Sequence, residues 1–94
     1  MGDFFTYILV NHTLDKFYIG HTNNLEIRIH SHNHSDRNTF TSKYRPWILF
    51  WSFNRNNRAS AMKLEKYLKS KNKNFIKRIP KDPDLVNFII IKFP

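Results

Sequence analysis

Glu65 is the single acid among twelve bases between Thr41 and Lys81, and that isolation is the first hint of chemistry in this sequence. One carboxylate with several water molecules is how magnesium is usually held. On an ideal helix Glu65 would lie about 40° from Ala61 and about 60° from Leu68, at the edge of an apolar stripe. A charge placed there needs a cationic partner, because burying it unpaired is costly. A salt bridge to a neighbouring base meets that need as well as a metal ion does. Tyr7 and Tyr18 sit in two successive apolar segments. Tyrosine suits strands on propensity alone, yet two phenols beside a cation could also serve a proton transfer. Ionising a phenol with a normal pKa near 10 costs about 4 kcal/mol at pH 7, and only a strongly positive site lowers that cost. Arg28 and His32 are four apart, so on a helix they share a face. The guanidinium could stabilise charge developing on phosphate oxygens, or it could be a solvated surface group. His30, His32 and His34 alternate, and they would ligate one metal together only in an extended segment, since helical residues two apart diverge.

The remaining acids are scattered. Asp3 is terminal, Asp15 lies in a turn, Glu26 in a helix start, Asp36 in a polar loop, and Asp82 and Asp84 near the end of the chain. A two-metal phosphodiesterase needs convergent carboxylates, so any metal chemistry here would use one ion.

The elements that must position these groups are legible in outline. Phe4–Val10 reads as a strand, residues 11–15 as a turn and Lys16–Ile19 as a second strand of an antiparallel hairpin, ended by Gly20. Asn23 with Glu26 predicts a capped helix over 24–32 whose Leu25 and Ile29 face the core. Residues 32–41 read as a loop, and Trp47–Phe53 as a third strand entered through Pro46. Asn57 predicts the cap of a second helix reaching Lys71, with Ala61, Leu64 and Leu68 inward. Residues 75–79 read as a short helical piece and 80–84 as a breaker. Leu85–Phe93 reads as a final strand. The fold class is α+β: an α/β sandwich with a small three-stranded antiparallel sheet flanked by helices. A chain of 94 residues is expected to form a single domain, with a core over 4–79 and a tail over 80–94.

Composition narrows the partners. Sixteen Lys and Arg against seven Asp and Glu give a formal charge of +9. A field of that sign attracts a polyanion, of which nucleic acid is the commonest; a soluble basic surface without a partner is the plainer alternative. No apolar run approaches the roughly 20 residues of a membrane span, so no membrane partner is expected. The chain has no cysteine, which excludes a thiol nucleophile and a thiolate zinc site and is compatible with a reducing compartment. The expected location is the cytoplasm, with the nucleoid if the source is bacterial.

Taken in order, these residues resemble the GIY-YIG endonuclease family. Phe5-Thr6-Tyr7 stands where that family has its first motif, and Tyr18-Ile19-Gly20 is an intact second motif. Asn24-Leu25 followed by Arg28 and His32 matches its helix pattern. Residues 41–47 resemble the approach to its third strand, and Arg58-Ala59-Ser60-Ala61 through Glu65-Lys66 resembles the helix carrying its metal-binding glutamate. The likeness runs from about Phe4 to Ile79 and is nearest to small members similar to the UvrC N-terminal nuclease domain. His21 stands where those members carry lysine, and neither Asn72 nor Asn74 stands at a matching spacing for the family's late asparagine.

The resemblance implies a divalent-metal-dependent endonuclease acting on DNA phosphodiesters, in repair or recombination. Glu65 would hold a single Mg²⁺ or Mn²⁺. Tyr18 would be the general base toward water, with Tyr7 orienting it or exchanging roles. Arg28 would stabilise the pentavalent phosphorus, and His32 would assist proton transfer or position the phosphate. Contacts to the nucleic-acid backbone are expected from His21, Lys43, Arg45, Arg58, Lys66 and Lys69. A domain this small shows no specificity element, so branched or damaged DNA, or a protein partner, would supply selectivity. The rival class is a non-catalytic nucleic-acid-binding module with the same fold; a basic RNA- or ribosome-associated protein is a third reading.

Overall fold

The computed structural model describes residues 3–36 and 40–94. Its strands are β1 (Phe4–Asn11), β2 (Phe17–Thr22) and β3 (Trp47–Arg55). The helices are α1 (Leu25–His34), α2 (Phe40–Lys43), α3 (Arg58–Lys69), α4 (Lys73–Arg78) and α5 (Pro83–Lys92), with a single 3₁₀ turn at Ile79–Lys81 leading into the last. The sheet order is β2-β1-β3, antiparallel throughout. This is the α+β sandwich that the sequence predicts.

β1 is central and buried on both faces, so its alternation sends side chains to two separate cores. Ile8 joins Phe53, Leu64, Leu68, Ile76, Ile79 and Ile89 in the larger core beneath α3. Thr6 points the same way and donates its hydroxyl to the Ala61 carbonyl at 2.7 Å. Tyr7 and Leu9 face the other way, into a smaller core with Trp47, against which Leu25, Ile29 and Tyr18 pack. Asn33 ties α1 to β3 by accepting from the Trp47 amide at 2.6 Å and donating to its carbonyl at 2.9 Å. The hairpin turn is organised by Asn11, whose side-chain oxygen accepts from the amides of Asp15 and Lys16. That network offsets the cost of Leu14 at φ 60°, a left-handed conformation that disfavours a side chain.

Four sequence expectations are corrected. β2 does not stop at Gly20 but continues to Thr22, with Gly20 paired opposite Tyr7. Because the strand runs on, the helix cap falls one residue later, on Asn24, whose side chain accepts from the Ile27 amide at 3.1 Å. His32, Asn33 and His34 continue α1, and Phe40–Lys43 forms α2, where a loop over 32–41 is predicted; positions 37–39 of that stretch lie outside the described residues. Finally, Leu85–Phe93 is not a strand. Asp82 caps α5 by accepting from the Leu85 amide, Pro83 occupies its first turn, and Asp84 follows. A capping aspartate, a proline at the first helical position and a first-turn acid together outweigh the β-branched run that follows them.

Ile89 on α5 is fully buried in the larger core. Replacing it by alanine is expected to cost about 2–5 kcal/mol, the range for a buried aliphatic truncation. Thermal denaturation reads this directly, and a melting point matching the parent's would detach the last helix from the core.

Candidate active site

On the face covered by α1, four of the five candidate side chains meet. The Tyr7 hydroxyl lies 2.9 Å from His32 Nε2. The Tyr18 ring is 4.5 Å from the His32 ring and 6.2 Å from that of Tyr7. The Arg28 guanidinium is close enough to the Tyr7 phenol to oppose the rise in its pKa. Tyr18, Arg28 and His32 line a polar cleft of about 600 Å³ together with Ser31 and Thr41. The pairing register explains the gathering. Tyr7 pairs with Gly20 and Leu9 with Tyr18, so both tyrosines project to the α1 side of the sheet. Arg28 and His32 then descend from α1 one turn apart.

The environment fixes their protonation. Burial raises the Tyr7 phenol far above its usual value, with the neighbouring Tyr18 adding to the rise and Arg28 opposing it. Burial lowers the pKa of His32, and the charges of Arg28 and Arg45 lower it further. The phenol is thus held protonated and the imidazole neutral near pH 7. With the phenol protonated and the imidazole neutral, the Tyr7 hydroxyl donates to His32 Nε2, which leaves Nδ1 as the ring's N–H donor. Arg45 secures the backbone behind the ring: its Nε donates to the His32 carbonyl at 2.7 Å and its Nη2 to that of Ser35 at 2.6 Å.

Glu65 is on the opposite face. It projects from α3 beside β2, with its side chain only 16% exposed. Oε1 meets His21 Nδ1 at 2.5 Å and Oε2 meets Lys69 Nζ at 2.6 Å. Burial alone would raise the carboxyl pKa, but the hydrogen bonds and charges of Lys69 and His21 outweigh it and hold the group below its usual range. Its charge is felt at Tyr7. The five residues therefore approach the edge strand β2 from its two faces. They wrap the edge strand β2, with the cleft on one side and the carboxylate on the other.

Gly20 is the seam between the two sides. A methyl group there would lie 2.6 Å from the Tyr7 hydroxyl oxygen and 2.8 Å from Cζ. The phenol occupies the space that any side chain would need.

Of the six residues expected to contact nucleic acid, Lys43, Arg58 and Lys66 are exposed. Lys69 and His21 are engaged with Glu65, and Arg45 turns inward to the end of α1. Asn72 caps α4. His30 and His34 stack with ring centroids 4.3 Å apart, while His32 points to Tyr7, the divergence that a helix imposes. Sequence reasoning missed the inward role of Arg45, for which no spacing signal exists. It also missed the His21–Glu65 pair, although His21 shares its strand face with Ile19, which packs against the larger core, and so had to face α3.

A carboxylate reachable from solvent thus lies at the edge of an antiparallel sheet whose other face presents two tyrosines, an arginine and a histidine around a cleft. The family model of the GIY-YIG catalytic domain matches residues 3–79, and the chain belongs to that family. This is a family of nucleases that generally use divalent metal ions. The fold is similar to the solution NMR structure of a UPF0213 protein from Bacillus halodurans, with a TM-score of 0.53 and 20% identity over 84% of this chain and 83% of that one. Comparison with curated proteins gives no match. Among the described residues no helix is long and apolar enough to cross a membrane.

Proposed function

We propose that this protein is an endonuclease that hydrolyses DNA phosphodiester bonds with a single Mg²⁺ or Mn²⁺ at Glu65, in DNA repair or recombination. The observation that carries the reading is the cleft in which Tyr18, Arg28 and a neutral, Tyr7-bonded His32 stand together. Binding a polyanion requires positive charge alone; it does not require a protonated phenol and an uncharged imidazole held against each other.

Glu65 fits the ion. It is a hard oxygen donor held ionised, one of its two partners is a flexible lysine, and it opens on solvent beside His21 and Lys66. When bound, the ion supplies Lewis acidity toward the phosphate and its leaving oxygen. The protein's own groups do the rest. Tyr18, facing the cleft, would act as its phenolate, its own proton already released to solvent, and take the proton of the attacking water. Arg28 meets the non-bridging oxygens where charge develops. His32 offers its Nδ1–H to a phosphate oxygen, and Tyr7, buried behind it, fixes the ring's tautomer and orientation. Lys43, Arg58 and Lys66 hold the flanking backbone. A second reading, the binding module without cleavage, is favoured by one observation: both Glu65 oxygens are already paired within the chain.

Branched, nicked and linear DNA incubated with Mg²⁺ or Mn²⁺ tests the proposal. Nicking that stops on adding a chelator is the expected outcome. Salt-sensitive binding without cleavage of any substrate would move the protein to the second reading.

The pH dependence follows from His32. Its pKa is depressed below the usual value near 6.5, and only the neutral ring accepts from Tyr7. The acid limb of kcat/KM should therefore have its midpoint below about 6.5. Because the unfolded chain binds the proton more readily, the stability associated with His32 is present above about 6.5 and declines as pH falls toward the lower folded value. Melting points of the parent should thus fall more steeply with acid than those of His32→Gln. Parallel curves would remove His32 from this role.

A further inference from the structure

We infer that His21 is a second protein ligand to the divalent ion, making the site a carboxylate–imidazole pair rather than a lone carboxylate. The inference rests on the proposal that Glu65 holds an ion and goes on to name its ligand set. His21 Nδ1 and Glu65 Oε1 are hydrogen-bonded to each other at 2.5 Å, so once the shared proton leaves, two atoms able to donate a lone pair stand side by side. Adjacent ligands on an octahedral ion, each at about 2.1 Å, lie about 3 Å apart. A small rotation of either side chain therefore opens the position for a cation in place of the shared proton.

The approach of these two groups is built into the fold. Thr6 pairs with His21 across β1 and β2. The Thr6 hydroxyl also bonds to the carbonyl of Ala61, one turn ahead of Glu65 on α3. One residue thus sets the distance between the strand carrying the imidazole and the helix carrying the carboxylate. Both side chains are largely buried, at 24% and 16% exposure, whereas Lys69 on the other oxygen is 54% exposed and able to swing clear. The hollow of about 320 Å³ in front of them, shared with Met62 and Lys66, leaves room for water and a phosphate oxygen. Among the described residues no three His, Cys, Asp or Glu form a metal-holding group. Two protein ligands with the remaining positions open is the arrangement a substrate-binding ion needs. A nitrogen donor also moves selectivity away from Mg²⁺ and toward Mn²⁺ and later transition ions.

Mn²⁺ alone is the probe, in protein carrying His30→Gln and His34→Gln so that the exposed helix pair contributes no nitrogen. Electron paramagnetic resonance titration gives its affinity, competition with Mg²⁺ gives the selectivity, and pulsed measurements detect nitrogen bonded to the ion. The expected result is an imidazole nitrogen coupling in the parent. His21→Lys should lose that coupling, because it keeps a cationic partner for Glu65 without an imidazole. Mn²⁺ binding should weaken about tenfold or more, with a smaller change for Mg²⁺. His21→Gln, checked for folding by circular dichroism, should behave likewise. Absence of nitrogen coupling in the parent, or its survival in both variants, overturns the inference. Glu65→Gln separates the two levels. Undiminished Mn²⁺ binding in that variant defeats the Glu65 site itself, whereas lost binding there with no nitrogen coupling in the parent defeats only the role of His21.

Discussion

Glu65→Gln is expected to lower metal-dependent DNA cleavage by about three orders of magnitude while leaving DNA affinity within about twofold of the parent. The amide keeps the shape and the hydrogen-bonding reach of the carboxylate but removes the charge that would hold a divalent ion. Lewis-acid stabilisation of a phosphoryl transition state is worth several kcal/mol, and about 4 kcal/mol corresponds to a thousandfold in rate. DNA affinity is carried by other groups, the exposed Lys43, Arg58 and Lys66 among them, and removing one negative charge can only help it. The fold should tolerate the change. The Lys69 partner is half-exposed, so that lost ion pair is worth about 1 kcal/mol or less, and the amide oxygen still accepts a hydrogen bond from His21. Cleavage and filter-binding assays on the same preparation read both quantities, and cleavage at the parental rate would end the metal assignment.

Gly20→Ala is expected to damage the site from a position that bears no reactive group. The added methyl would sit 2.6 Å from the Tyr7 hydroxyl oxygen and 3.1 Å from its Cε2. A flexible chain end would simply move aside. Tyr7 is fully buried, and its hydroxyl is held by His32. The ring must shift, and the Tyr7–His32 hydrogen bond lengthens or breaks with it. Overpacking of this kind costs about 1–3 kcal/mol. Misplacing catalytic groups by about 1 Å costs about a hundredfold in rate. Thermal melts and cleavage assays should show both losses together, and full activity in Gly20→Ala would mean that the Tyr7 position has no bearing on turnover.

The sheet and the amphipathic α3 were legible because alternation and a 3.6-residue stripe leave few other solutions: Ala61, Leu64 and Leu68 are buried as their spacing requires. What misled was local chemistry competing with periodicity. Gly20 read as a strand end because glycine weakens strands, but here the missing side chain makes way for Tyr7 across the ladder. The apolar run 85–93 read as a strand because Val86 and the isoleucines favour one; Asp82, Pro83 and Asp84 had already written a helix start. The gathering of Tyr7, Tyr18, Arg28 and His32 follows from register and helical spacing, both visible in one dimension. The separation of Glu65 onto the other face does not, since it depends on which side of the sheet α3 crosses, a fact of tertiary packing. Arg45 shows the same limit: an arginine in a basic stretch advertises a phosphate contact, and only the folded chain reveals that it satisfies the open carbonyls ending α1.

β2 is the outermost strand, with β1 on its inner side and, among the described residues, no strand beyond it. Such a margin ordinarily invites another chain to add itself by main-chain pairing. Here a strand laid along it would stand between Tyr18 on one side and Glu65 on the other, walling off one half of the candidate site from the other. Under the proposed endonuclease activity, self-association through that margin would obstruct a polymer substrate, so an assembly that keeps that activity would use another surface and leave this border bare.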